Sequence, residues 1–341
     1  MSARRLRASL KGWGGVGAMA VACALTAVFA LLLPLSNARG DGSTGIGGQG
    51  AGQGEQAKAE ECTDPQDQSL TPSSLDGPAI EAIKNRPAKD RRLIVGVDQN
   101  SFRWGYRDPN NTESGSDLEG FDIDLVHAIA EDILGDPSAV QFRAIPTNQR
   151  IPAIQEGKVD MVVRTMTITC SRLEDVAFSA PYFETGQQVL APIDSTITGY
   201  DKSLANQRIC TATGSTAYEK LDADKKAGKL ASTADISTTV PNQLDCLVRL
   251  QLGEVDAVVT DGALAASQAA QDPTVELKGT TFTTEYYGVA MKKGADDLVR
   301  RVNQVLENYR QSGWRTAYDK WLSPTLGADS PSSNPPAAQY K

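Results

Sequence analysis

Histidine is nearly absent from this chain: His127 is the only one in 341 residues. It falls with Asp124 and Glu131 on the polar side of a predicted helix, which leaves no imidazole for acid–base work in a cleft. No Cys-x-x-Cys pair with a companion histidine is present, so the sequence offers no zinc site. Gly-x-Ser-x-Gly elbows and P-loops are missing, and no nucleotide fingerprint sits between a strand and a helix. Positive charge is scarce too. The 34 Lys and Arg face 42 Asp and Glu, a net charge of −8, where a nucleic-acid partner would favour the opposite balance. These gaps argue against an enzyme, a metal or cofactor, and a nucleic-acid partner.

What is present begins with an export segment. Arg4, Arg5, Arg7 and Lys11 precede an uncharged run, VGAMAVACALTAVFALLLPL. Three outcomes fit it. A secretory signal is cut after SNA, where Ser36 and Ala38 are small. Alternatively the run, about 20 residues, stays as a membrane anchor. The third outcome is a lipid on Cys23, from the AVAC at 20–23. All three place the remainder outside the cytoplasm, secreted or tethered to the outer face of the cytoplasmic membrane. In that oxidising setting Cys62, Cys170, Cys210 and Cys246 are expected to form two disulfides, with three connectivities open.

Residues 1–38 are thus a signal peptide or anchor, and the Gly- and Gln-rich residues 39–61 are a flexible tether. From Leu93 onward strands and helices alternate. RLIVGVD, AVQFRAIP and KVDMVVRT have strand character, and GFDIDLVHAIAEDIL and NQRIPAIQEG helical character. After Gly186 the cycle restarts. RICTAT and EVDAVVTD are strands there; STAYEKLDADKKAG, TVPNQLDCLVRLQLG and ALAASQAAQD are helices. Such alternation implies parallel sheets covered by helices, and the restart implies two lobes of similar build. Lobe 1 is expected from 62–186 plus 287–326, lobe 2 from 187–286, and a disordered Pro/Ser tail over 327–341. Two phrases mark the repeat: QEGKVDMVVRT (155–165) and QLGEVDAVVTD (251–261) share six of eleven letters. Each is a buried strand ending at its lobe's binding edge, because ligands of open α/β sheets collect beyond the carboxyl ends of strands.

The first edge, RTMTITCSR, sets Thr165, Thr167 and Thr169 on one side of an extended stretch, with Arg172 a turn later. A guanidinium fork grips a carboxylate with two parallel hydrogen bonds, and hydroxyls complete the shell. The second edge offers Asp261, suited to an ammonium. Beside it Gly214, Ser215 and Thr216 open a helix whose free N–H groups form a small anion site. A carboxylate held by one lobe and an ammonium held by the other describe an α-amino acid.

From about Leu93 to Leu322 the chain resembles the polar amino acid-binding proteins of bacterial ABC importers. The words that carry the likeness are GFDIDL, MTITCSR, FSAPYF, GSTAYEKL, VDAVVTD, YYGVAMKKG and GWRTAYDKW. The cysteines of RICTATGST, LDCLVRL and MTITC resemble those of the actinobacterial glutamate/glutamine-binding branch. The resemblance implies the two-lobed α/β fold of type II periplasmic binding proteins, with a ligand cleft between the lobes and hinges at 182–186 and 283–287. It implies disulfides Cys210–Cys246 and Cys62–Cys170. It also implies that Arg172 and Thr167 bind the α-carboxylate, that Thr216 adds a donor, and that Asp261 with the backbone of Thr165 takes the α-ammonium. The partners would be an ABC permease and its ATPase, with this chain acting as a monomer. A sensor that signals through a membrane partner is the alternative use of the same lobes.

The choice of side chain turns on Arg164, which needs a counter-charge if buried at a strand end. A ligand γ-carboxylate would supply it, giving L-glutamate or L-aspartate, whereas pairing with Asp98 would make it internal. The resemblance implies a second option, because in glutamine-binding relatives an Asp at the position of Asp98 faces the side-chain amide, which keeps glutamine and asparagine in play. Phe102, Arg103 and Trp104 are candidates to cover the ligand's aliphatic part, with plain packing the competing role for Trp104. Trp314, Tyr318 and Trp321, on successive turns of one helix, are expected in the core.

Overall fold

The protein's structure, a computed structural model, describes residues 62–108 and 118–341. The three outcomes for the export segment, and the tether, lie outside the described residues. Among the described residues no helix is long and apolar enough to cross a membrane. In chain order the first series is α1 (Pro78–Lys84), β1 (Leu93–Val97), the short pair β2 (Asn100–Ser101) and β3 (Gly105–Tyr106), α2 (Phe121–Leu134), β4 (Val140–Ala144), α3 (Arg150–Gln155), β5 (Met161–Val162), α4 (Cys170–Asp175), β6 (Val176–Phe178) and β7 (Phe183–Thr185). The second series is β8 (Gln187–Pro192), β9 (Arg208–Ala212), α5 (Thr216–Lys226), β10 (Asp235–Val240), α6 (Gln243–Gln251), β11 (Ala257–Asp261), α7 (Gly262–Ala269) and β12 (Val275–Lys278). The chain returns through β13 (Glu285–Tyr287) and β14 (Ala290–Lys292) and ends in α8 (Asp296–Gln311), α9 (Gly313–Ala317) and short helical turns to Leu326.

Two five-stranded sheets result, ordered β4-β1-β5-β14-β6 and β10-β9-β11-β8-β12. In each, three neighbouring strands are parallel, as the alternation predicts. The sheets are nevertheless mixed, not purely parallel. β14 runs against β5 and β6, and β8 runs against β11 and β12. The reason is topological: β8 and β14 each enter their lobe directly from a crossing, from the end at which the other strands finish. The crossing segments β7 and β13 pair with each other, Thr185 opposite Glu285 and Phe183 opposite Tyr287, so the two connections form one ribbon.

Helices cover both faces of each sheet, giving each lobe two cores. In lobe 1 one face packs Val95, Ile123, Val126, Ile129 and Val302 with a cluster of aromatics, and the other packs Ile145, Ile154, Val162 and Phe178. Trp314, Tyr318 and Trp321 are buried in the first of these. Lobe 2 repeats the scheme with Val189, Ile209, Leu221 and Val259 on one face and Leu190, Leu247 and Val258 on the other. Full burial of such a side chain is worth about 1.5–3 kcal/mol. α2 has Asp122 and Asp124 in its first turn, where the helix dipole favours acids, and stops at Gly135 in the left-handed region.

The repeated phrases perform the same task twice. Asp160 accepts the N–H of Ile94 at the start of β1 and pairs with Arg86. Asp256 accepts the N–H of Arg208 at the start of β9 and pairs with that residue's guanidinium. Both expected disulfides are present. Cys210–Cys246 joins β9 to α6, and Cys62–Cys170 ties the N-terminal segment to the first residue of α4. The tail differs from the disorder its composition suggests. Tyr318 donates to the carbonyl of Gly327, Arg315 to that of Ser333, and the N–H of Lys341 to that of Ser69, so backbone groups anchor it to lobe 1.

Candidate functional site

The carboxyl ends of the two sheets face one another across a polar seam. Arg172 sits in α4, whose N-cap Thr169 accepts the Arg172 N–H. Its guanidinium donates to the Thr167 carbonyl (2.7 Å) and, across the seam, to that of Gly214 in lobe 2 (3.2 Å). Burial lowers its pKa, against the pull of Glu219, Glu285 and Asp261. Asp261 ends β11 and is 7% exposed; the Tyr287 hydroxyl donates to it at 2.5 Å. Burial, then repulsion from Glu285, pushes its carboxyl up to about 7. The buried group thus takes up a proton near neutrality unless a cation offsets its charge.

Thr165, also buried, adopts a strained conformation, φ 41°, which a β-branched residue rarely adopts. Asp122 holds it there by accepting the Thr165 N–H at 3.1 Å and the Tyr182 hydroxyl at 2.9 Å. Burial pushes the Asp122 carboxyl up to about 7 as well. Thr167 bridges to Tyr287 of the crossing ribbon. Ser215 caps α5 by accepting the Tyr218 N–H, so its hydroxyl is already engaged. Thr216 donates its hydroxyl to Glu285, which Gln187 and Thr283 also hold.

Arg164 is fully buried. It meets Asp98 at 2.7 Å and donates to the Thr147 hydroxyl (2.9 Å) and to Asn242 of lobe 2 (3.1 Å). Asp98 is fixed in turn by the N–H groups of Gln99 and Asn100 and the hydroxyl of Ser101. The internal pairing weighed from sequence is therefore the one observed.

Arg103 and Trp104 stand away from the seam. Trp104 is fully buried among Phe121, Phe183 and Tyr287, because the close approach of its backbone to Gly120 turns the indole into lobe 1's core. A Cβ at Gly120 would lie 2.3 Å from the Trp104 carbonyl oxygen, so glycine is required there. Arg103 donates to the Trp321 carbonyl and lies over the Phe102 ring. Of the three loop residues, Phe102 lines the narrow gap against lobe 2, with Gln243, Leu264 and Gln268 opposite.

One site residue escaped the sequence reading. Arg150 opens α3 and is 3% exposed, lining a cleft of about 310 Å³ with Thr147, Met166, Arg172 and Gly214. It donates to the carbonyls of Thr147, Arg164 and Thr165. Among the described residues no carboxylate lies within ion-pair distance of it. Burial, then repulsion from Arg172 and Arg164, lowers its pKa well below the ordinary range, against the pull of Asp261. The signal was present in NQRIP: a cation at the positive end of a helix is unfavourable unless something outside the helix holds it.

Known proteins resemble this chain. The model of "bacterial extracellular solute-binding proteins, family 3" matches residues 93–324. The glutamine-binding protein of an ABC transporter in Bacillus subtilis is 33% identical over 71% of this chain and 84% of its own length. The glutamate-binding protein of Corynebacterium efficiens is 32% identical over 70% of this chain and 80% of its own. Among solved structures, the solute receptor for L-cysteine of Neisseria gonorrhoeae superposes with a TM-score of 0.66 at 27% identity, covering 76% of this chain and 99% of that one. An ancestral arginine-binding protein bound to glutamine does so with a TM-score of 0.58 at 35% identity, covering 67% and 97%. The chain is a member of family 3 of the bacterial extracellular solute-binding proteins.

Proposed function

We propose that this chain captures an acidic amino acid, L-glutamate or L-aspartate, outside the cytoplasm and delivers it to an ABC permease driven by its ATPase. Arg172 and Thr167 take the α-carboxylate, with Thr216 adding a donor from lobe 2. Asp261, with the backbone of Thr165, takes the α-ammonium, and the lobes close by bending at the β7–β13 ribbon.

The observation that carries the acidic reading is Arg150. A buried guanidinium beside Arg172, hydrogen-bonded only to carbonyls and attracted by Asp261 from beyond ion-pair distance, favours a further anionic group on the ligand. A side-chain carboxylate meets that need bidentately, and a neutral amide does not. Arg164, whose charge Asp98 answers, drops out of the ligand shell in this reading. The glutamate-binding relative supports it; the glutamine-binding one names the competing ligand.

Calorimetry with glutamate, aspartate, glutamine and asparagine decides. The acids should bind at least about tenfold tighter than the amides, and Arg150→Met should remove that advantage, since truncating one side of a buried charge pair costs about 2–5 kcal/mol. Equal binding of glutamate and glutamine, unaltered in Arg150→Met, rejects the reading. A ligand-dependent membrane pulldown should recover a permease and its ATPase; recovery of a signalling partner alone would favour a sensor.

A further inference from the structure

The cleft side of lobe 2 presents three successive residues, Pro241, Asn242 and Gln243, and each is hydrogen-bonded to lobe 1. The Thr147 N–H donates to the Pro241 carbonyl at 3.0 Å, and the Thr147 hydroxyl donates to the Gln243 side-chain carbonyl at 3.2 Å. Between them Arg164 donates to Asn242 Oδ1 at 3.1 Å. These bonds run directly from one lobe to the other. Both halves are stiffly mounted. Arg164 is neutralised by Asp98, itself held by three further donors, so its charge is satisfied within lobe 1 and its remaining N–H groups are available as directional donors. Asn242 is the N-cap of α6 and forms a capping box with Asp245. Its backbone N–H and its Nδ2 both donate to Asp245 Oδ2, which leaves Oδ1 facing Arg164. α6 is locked to β9 by Cys210–Cys246, and the Gln243 carbonyl is gripped by Gln268 of α7.

We propose that Asn242, with its Asp98-neutralised partner Arg164, is a closure latch: a positioning pair that stabilises the joined lobes and sets how long the ligand is held, without choosing which ligand is held. A bond made only when the lobes meet adds its free energy to every ligand equally. It therefore slows dissociation, which requires opening, and leaves encounter with the open cleft unchanged. Arg suits the task better than Lys, because its planar fork spans Asp98, Thr147 and Asn242 at once.

The inference rests on the amino-acid-binding reading for its ligand arm and has a second arm that does not. The test variant is Asn242→Ser, since serine keeps the N-cap of α6 but is too short to reach Arg164. In stopped-flow binding, affinity for all four amino acids should fall by the same factor, about tenfold, the scale of one hydrogen bond to a charged donor. The loss should lie in the dissociation rate, with the ranking of ligands unchanged. In the second arm, spin labels on the two lobes report the distance between them in the full chain without added ligand, and Asn242→Ser should lower the fraction at the closed distance. Arg164→Lys should give the same pattern, which guards against a fault peculiar to α6. A changed ligand ranking would assign the pair to ligand recognition instead, and an unaltered dissociation rate with an unaltered distance distribution would overturn the latch. Should the parent bind none of the four amino acids, the functional reading fails while the distance measurement still decides the latch.

Discussion

On the proposed reading Asp261 takes the ligand's ammonium, and a carboxyl pushed up to about 7 there makes binding depend on pH. To take the proposed ammonium Asp261 must be ionised, yet burial and repulsion from Glu285 push its carboxyl up to about 7. Binding at or below pH 7 then releases a proton, and affinity falls toward tenfold per unit as the pH drops further, to ~30-fold below its high-pH limit at pH 5.5. Folding responds in the opposite sense. A raised carboxyl pKa contributes stability that is full below the ordinary carboxylate value and is lost as the pH rises through about 7. Titration calorimetry between pH 5.5 and 8, in buffers of different ionisation enthalpy, should show this proton release. Asp261→Asn should bind weakly and without that pH dependence. An affinity flat from pH 5.5 to 8 in the parent would remove Asp261 from the ammonium site.

At the scale of the element, the two repeated phrases show how much of the fold the sequence carries and where it stops. Their apolar letters predict buried strands; β11 does run to Asp261, whereas β5 stops at Val162 and leaves Arg164-Thr165 in the segment beyond it. Their aspartates went unread, because a polar residue at a strand's start has no periodicity to reveal its partner. Asp160 joins β5 to β1, and Asp256 joins β11 to β9. Site residues split along the same line. Arg172 and Asp261 do come to the buried seam, where the motifs that carry them imply a ligand site. Trp104 does not, since the tight approach of Gly120 and the aromatics around it, distant in sequence, decide its burial. The antiparallel strands β8 and β14 likewise follow from where the chain crosses between lobes, which local pattern does not encode. Asp160→Ala removes the acceptor of the Ile94 N–H and of the two-pronged Arg86 contact. It should cost about 1–3 kcal/mol in chemical denaturation, as for hydrogen bonds to a charged group, while ligand ranking stays put. A loss below about 0.5 kcal/mol would make the repeated aspartate incidental.

For the whole molecule the controlling feature is the ribbon of β7 and β13, because every relative motion of the lobes passes through it. Gly186 follows β7, where the two crossings come closest: a Cβ there would lie 2.1 Å from the Thr283 carbonyl oxygen and 2.9 Å from Thr281 Cβ. Backbone cannot swing aside as a flexible side chain can, so Gly186→Ala must push the crossings apart. The Gly186 carbonyl also accepts the N–H of Gly262, the first residue of α7 and the neighbour of Asp261. Displacement here therefore reaches the neighbour of Asp261, the proposed ammonium partner, through one hydrogen bond. Arg172 of α4, the proposed α-carboxylate partner, keeps its own bond to the Thr167 carbonyl of lobe 1. Gly186→Ala should lower stability by about 1–3 kcal/mol, the usual range for overpacking. It should weaken all ligands together, since the ammonium is common to them, and the weakening should persist in Asn242→Ser if hinge and latch act on the closed state separately. Thermal denaturation and calorimetry of the single and double variants measure both effects. A Gly186→Ala protein with unchanged melting and binding would mean that the ribbon yields freely, and that closure is governed at the cleft alone.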